Sequence, residues 1–220
     1  MDRRSGGDGA KWTAVLLVAL LLALNTLILT LPRLGPFAGL EWNWQGKTLD
    51  LIWVLAAIAL LHPALRREIG WSWRIPPGTV PVLAINIAIL ALAGFLLMPA
   101  GTLTMERVLF DIGWPNLVEE IVFRGFMLAL LDRVFTRRWA FGGTVLGWGA
   151  VLTAVLFGLV HAVQPAPDGG LGLDPAAFAI TAAAGFVFAW LRTLTGSLWP
   201  AFLAHCAPEI GVLAALALGR

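Results

Sequence analysis

The chain has 220 residues, 59% of them hydrophobic and only 13% charged, with a net charge of +2. A mean hydropathy of +0.84 is far above what a water-facing domain of this length tolerates, which excludes a soluble globular fold and predicts a polytopic membrane protein. The small charge is spread over loops, excluding nucleic acid as a partner, and Cys206 alone cannot build a disulfide framework.

Seven apolar stretches are long enough to span a bilayer at about 20 residues per crossing: 12–31, 48–65, 80–98, 114–135, 141–162, 175–194 and 197–218. The expected fold is therefore all-α, a polytopic transmembrane helix bundle of about seven spans, within a range of six to eight. The first stretch follows Arg3, Arg4 and Lys11 as a signal peptide would, but it is too long and lacks an Ala-x-Ala site, so a retained anchor is expected. Pro63 and Arg66 end the second stretch early. Trp12, Trp42, Trp44, Trp71, Trp73, Trp114, Trp139 and Trp199 fall near span ends, as an interfacial aromatic belt requires. Asn25 and Asn86 are expected to bond between helices. Gly143-x-x-x-Gly147 and the run Ala182-Ala183-Ala184-Gly185 read as close helix-packing faces.

Loop charge sets the orientation. Ten cations lie on the N-terminal side: Arg3, Arg4, Lys11, Arg66, Arg67, Arg74, Arg133, Arg137, Arg138 and Arg192. Four lie opposite: Arg33, Lys47, Arg107 and Arg220. The positive-inside rule places the N-terminus in the cytoplasm, and seven spans then put the C-terminus outside. A division is expected between an N-terminal anchor region, 1–113, with three spans and a catalytic core, 114–220, with four.

The most informative residues are Glu119-Glu120-Ile-Val-Phe-Arg124, inside the fourth stretch. Carboxylates in hydrocarbon cost several kcal/mol unless paired, so such a set marks a functional site by default. Glu120 and Arg124 share a helix face and can pair. Glu119 points about 100° away and is left without an intrahelical partner, an environment that suits a general base. A structural polar network between helices is the alternative. At 1.5 Å per residue both glutamates lie about 8 Å below the outer end of their helix. His161, ending the next span outward, lies at the same depth. His205 and Glu209 share a face of the last helix, four residues apart and near its middle, so all four could meet in one cavity if that helix is tilted or begins later than residue 197. Such a His–Glu pair can bind a metal or stabilise an oxyanion. His62, beside Pro63, reads as an interfacial histidine. Cys206 points away from its neighbour His205 and reads as a small buried hydrophobe.

Three blocks in this order, Glu119-Glu120-x-x-x-Arg124, Phe157-x-x-x-His161, and Leu191 through His205, resemble the motifs of the CPBP intramembrane proteases. That family includes the type II CAAX prenyl endopeptidases and the bacterial Abi, or bacteriocin-immunity, proteins. The resemblance covers about residues 114–216, and the first three spans carry no mark of it. It implies a helical bundle in which Glu119 activates water, His161 holds that water, and His205 with the residue four positions on stabilises the oxyanion. The last position is usually Asn or Asp in the family, whereas this chain has Glu209. An ionised glutamate would repel an oxyanion, so it must be protonated, bind a metal or point elsewhere. No cofactor is favoured, although His161, His205 and Glu209 would satisfy a three-ligand zinc site.

The resemblance further implies an intramembrane endopeptidase acting near the C-terminus or propeptide junction of a membrane-anchored protein or peptide. Arg-, Gly- and Ala-rich composition suggests a bacterial inner-membrane protein, and bacteria generally lack protein prenylation, which favours tail or propeptide processing over CAAX cleavage. The site is expected nearer the outer face. The alternative is a non-catalytic immunity or scaffolding protein that binds a peptide without cutting it. A proton-coupled transporter would also bury Glu and His, but no internal repeat relates the two halves.

Overall fold

The computed structural model describes residues 4–97, 101–165 and 170–220, so Arg3 and the last residue of the apolar stretch 80–98 lie outside the described residues. The helices are α1 (Arg4–Leu29), α2 (Trp44–Leu60), α3 (Pro63–Glu68), α4 (Val80–Leu97) and α5 (Met105–Asp111). Next, α6 (Trp114–Glu120) runs through a π-helical segment (Ile121–Met127) into α7 (Leu128–Val134). A hairpin, β1 (Arg138–Phe141) with β2 (Thr144–Gly147), leads into α8 (Trp148–Ala162). A second hairpin, β3 (Val163–Pro165) with β4 (Leu171–Leu173), precedes α9 (Pro175–Thr195) and α10 (Leu198–Ala217).

Every apolar stretch carries a helix. Four helical segments, Asp8–Leu29, Pro77–Leu97, Pro175–Thr195 and Leu198–Ala217, are long and apolar enough to cross a membrane, and the protein is an integral membrane protein. At 17 and 15 residues, α2 and α8 are shorter, and the π-helical segment divides the fourth stretch. Large apolar side chains such as Leu16, Ile85 and Leu92 face outward, which suits hydrocarbon and not water.

Local chemistry fixes the ends. Asp174 caps α9 by accepting from the Ala176 and Ala177 amides, and Gly196 closes it in the left-handed region at φ 69°. Ser197 then caps α10. The fifth stretch starts its helix later than expected, because 138–147 fold as the antiparallel β1–β2 hairpin. Its turn residues, Gly142 and Gly143, sit at φ 52° and 82°, where a side chain would be strained. Gly143-x-x-x-Gly147 is therefore a hairpin turn and strand, not a helix-packing face. The Ala182–Gly185 run does pack closely on α8: a Cβ at Gly185 would lie 3.4 Å from Ala154 Cα, and one at Gly158 would lie 2.8 Å from Ala182 Cβ.

Contacts sort the loops into two ends. At the proximal end, shared with the N-terminus, Arg133 pairs with Glu68, the Leu198 amide donates to Gly70 O, and Ser197 Oγ donates to Ser72 O. Trp73 stacks on Trp199 there at 4.1 Å. At the distal end the Trp42 amide and Trp44 Nε1 donate to Glu106 Oε1 at 3.0 and 3.2 Å. These bonds, the Trp42 N–H foremost, hold the Glu106 carboxyl below its ordinary range. Asn25 joins α1 to α2 through Asp50 Oδ2 at 2.7 Å, as expected of an interhelical group. Asn86 instead bonds Val82 O, one turn back in its own helix.

Candidate active site

The site lies between α2, α6, α8 and α10, toward the distal end. Neighbouring helix residues point about 100° apart, so Glu119 and Glu120 serve different partners. Glu120 is fully buried, and its Oε1 accepts from Arg124 Nη1 at 2.9 Å and from His205 Nδ1 at 2.8 Å. Arg124, also fully buried, donates from Nη2 to Gly185 O at 3.1 Å and lies 4.2 Å over the Phe157 ring. Glycine at 185 is what admits the guanidinium, since a Cβ there would sit 2.8 Å from Nη2.

Glu119 faces α2, α8 and α10. Its Oε1 accepts from Lys47 Nζ at 2.6 Å, and its Oε2 lies 3.7 Å from His161 Nε2 and 3.9 Å from His205 Nε2. The Nδ1 of His161 is 2.8 Å from Phe157 O, and a carbonyl only accepts, so Nδ1 carries the proton and Nε2 of the neutral ring is an acceptor. The same logic applies to His205, whose Nδ1 donates to the Glu120 carboxylate. Phe157 packs on His161 at 4.3 Å, and Phe188 stacks on His205 at 4.9 Å, so both rings are fixed. Three acceptor atoms thus converge at separations too long for direct hydrogen bonds and short enough to share one small donor.

Glu119, His161 and His205 are brought together as expected; Glu209 is not part of that contact set. It is half-buried one turn past His205, flanked by Asp111, Arg107 and His205, and makes no hydrogen bond or ion pair to a described residue. Among the described residues no three His, Cys, Asp or Glu side chains form a group able to hold a metal ion. The zinc set of His161, His205 and Glu209 is not assembled: Glu119 occupies the position facing both imidazoles, and Lys47 sets a cation against it. Cys206 is buried, takes a 3.7 Å contact from Asn116 Nδ2 and makes none with His205. His62 caps α3 through Ala64 N, away from the site.

Glu119 has no partner within its own helix, yet it is not unpaired, because Lys47 of α2, 8% exposed and 72 positions earlier in the chain, supplies one. The usable signal was a cation immediately before the apolar stretch at 48, capped by Asn43 into the start of α2. Counting it as a loop charge hid it.

Apolar helices around a buried carboxylate–imidazole cluster define an integral membrane protein with a polar site between its helices. Residues 101–210 match the family model of Rce1-like proteins, described as type II CAAX prenyl endopeptidase Rce1-like. That is half of the chain, and the chain belongs to this family, which is one of proteases. No curated protein and no solved structure matches it. Glu119, Glu120, Arg124, His161, His205 and Glu209 all fall inside the matched segment, and Lys47 falls outside it.

Proposed function

We propose that the protein is an intramembrane endopeptidase in which Glu119 is the general base, acting near the C-terminus or propeptide junction of a membrane-anchored protein or peptide. The supporting observation is the convergence of Glu119 Oε2 with two imidazole Nε2 atoms at 3.7 and 3.9 Å, walled by apolar helices. A water shared there gives one proton to Glu119 and is held by His161 through its other hydrogen. As its oxygen bonds to the scissile carbonyl carbon, the carbonyl π pair moves to oxygen. The collapsing intermediate expels the amine, which takes the proton from Glu119. His205 can donate from Nε2 to the oxyanion only as the imidazolium, with Glu120 as its counterion. This reading uses no metal and places segment 114–220 as the catalytic core. It also sets the N-terminus in the cytoplasm of a bacterial inner membrane, with the site toward the outer face.

Glu209, standing where the family usually has Asn or Asp, favours a second reading: an immunity or scaffolding protein that binds a peptide without cutting it. Glu119→Gln separates the two. Peptide C-termini in membranes of cells carrying either form are compared by mass spectrometry. Processing should fall by roughly 10²–10⁴-fold with the variant inserted normally. Unchanged termini, with any phenotype retained, would favour the binding protein.

A further inference from the structure

Lys47 lies outside the segment that matches the family, yet it makes the shortest contact in the site, 2.6 Å to Glu119 Oε1. A buried ammonium needs a reason, because desolvation costs several kcal/mol. The start of a helix also disfavours a cation, since the dipole is positive there. Asp50, one turn on, adds a favourable charge nearby but makes no direct contact with the ammonium; its two oxygens accept from Asn25 at 2.7 Å and Trp53 Nε1 at 2.9 Å. The charged groups around Glu119 are Lys47 and Asp50 from α2, Arg124 one turn below, His161 from α8, and His205 and Glu209 from α10. Of these only Lys47 and Arg124 carry a fixed positive charge, and Arg124 is spent on Glu120 and Gly185.

Resting on Glu119 as the base, we propose that Lys47 is a further catalytic residue. Its ammonium anchors Glu119 Oε1 so that Oε2 faces the two imidazoles, and its remaining N–H groups hold the substrate oxyanion. An ammonium has three donors, and only one is used by a described residue. A carboxylate at position 209 offers no donor when ionised, so a cation from α2 supplies what α10 lacks. It does so whichever protonation state His205 adopts.

Lys47→Met and Lys47→Arg in the full-length protein in liposomes test this. Dicyclohexylcarbodiimide modifies protonated carboxyl groups in apolar surroundings, and peptide mass spectrometry reads its adduct at Glu119 without any substrate. Wild type and Lys47→Arg should resist modification near neutral pH, whereas Lys47→Met should be modified several-fold more. Cleavage by Lys47→Met should fall roughly 10²-fold in kcat with little change in KM, and Lys47→Arg should recover part of it. Equal Glu119 modification in wild type and Lys47→Met, or an unchanged kcat, overturns the proposal. Lys47→Gln replaces Lys47→Met if the latter fails to insert. Cleavage surviving Glu119→Gln would remove the base reading while the carbodiimide result still decides the Lys47–Glu119 pair.

Discussion

Glu120 and His205, 85 positions apart, meet at 2.8 Å through Oε1 and Nδ1, so the carboxylate buried behind the site sets the tautomer of the imidazole that faces it. Glu120→Gln keeps the shape but removes the negative charge that serves as counterion to the His205 imidazolium, the form that donates from Nε2 to the oxyanion. Cleavage should drop by roughly 10²-fold or more, as when an orienting carboxylate becomes an amide. Wild-type activity in a folded Glu120→Gln protein would show that the chemistry does not need a His205 imidazolium paired with Glu120.

Arg124 is expected to be structural first. Its guanidinium bridges Glu120 and Gly185 O and rests among the rings of Phe157 and Phe188, at 4.2 and 5.1 Å. Arg124→Ala leaves Glu120 buried and uncompensated, a cost of roughly 3–5 kcal/mol. The thermal midpoint in detergent should fall together with activity. A protein that stays as stable as wild type but inactive would assign Arg124 to the chemistry.

Much of this was legible in the sequence because intramembrane charge is rare. Glu119, Glu120 and Arg124 stand out against an apolar background, and four-residue spacing alone predicts the Glu120–Arg124 pair found at 2.9 Å. Depth counting brought His161 beside Glu119. Lys47 was not legible, since its partner lies in another helix and no local pattern links them. Nor was the β1–β2 hairpin, because Trp139 through Gly147 is as apolar as a helix, and only the paired glycines at 142 and 143 mark the turn. Glu209 shares a face with His205 by spacing, but Pro208 lies between them and its carbonyl is pressed against Gly94.

That contact has its own test. A Cβ at Gly94 would lie 2.0 Å from Pro208 O, and one at Gly211 would lie 1.9 Å from Ala91 O, so α4 and α10 touch backbone to backbone. Gly211→Val must push the helices apart and carry His205 with them. Stability should fall by about 1–3 kcal/mol or more, with activity lost as well. Gly39→Ala, where nothing lies within 4 Å, should change neither. Equal stability of the two variants would contradict this packing.

Glu209→Gln addresses the departure from the family pattern. Glu209 neighbours Asp111, whose carboxyl is pushed up from its ordinary value by burial while Arg107 Nε, 3.1 Å away, pulls the other way. Two carboxylates thus compete for one guanidinium beside the site. Replacing Glu209 by an amide removes one negative charge, relieves that repulsion and supplies a donor where the carboxylate had none. Because Glu209 makes no hydrogen bond or ion pair to a described residue, the change breaks no contact and should leave stability intact. Activity should be retained or raised, since an anion that would oppose the oxyanion is gone. A zinc ligand would behave oppositely, because an amide is a much poorer ligand than a carboxylate. Metal analysis of purified wild type alongside cleavage by Glu209→Gln decides between them: stoichiometric zinc, lost together with activity in the variant, would make Glu209 a ligand and replace the metal-free mechanism.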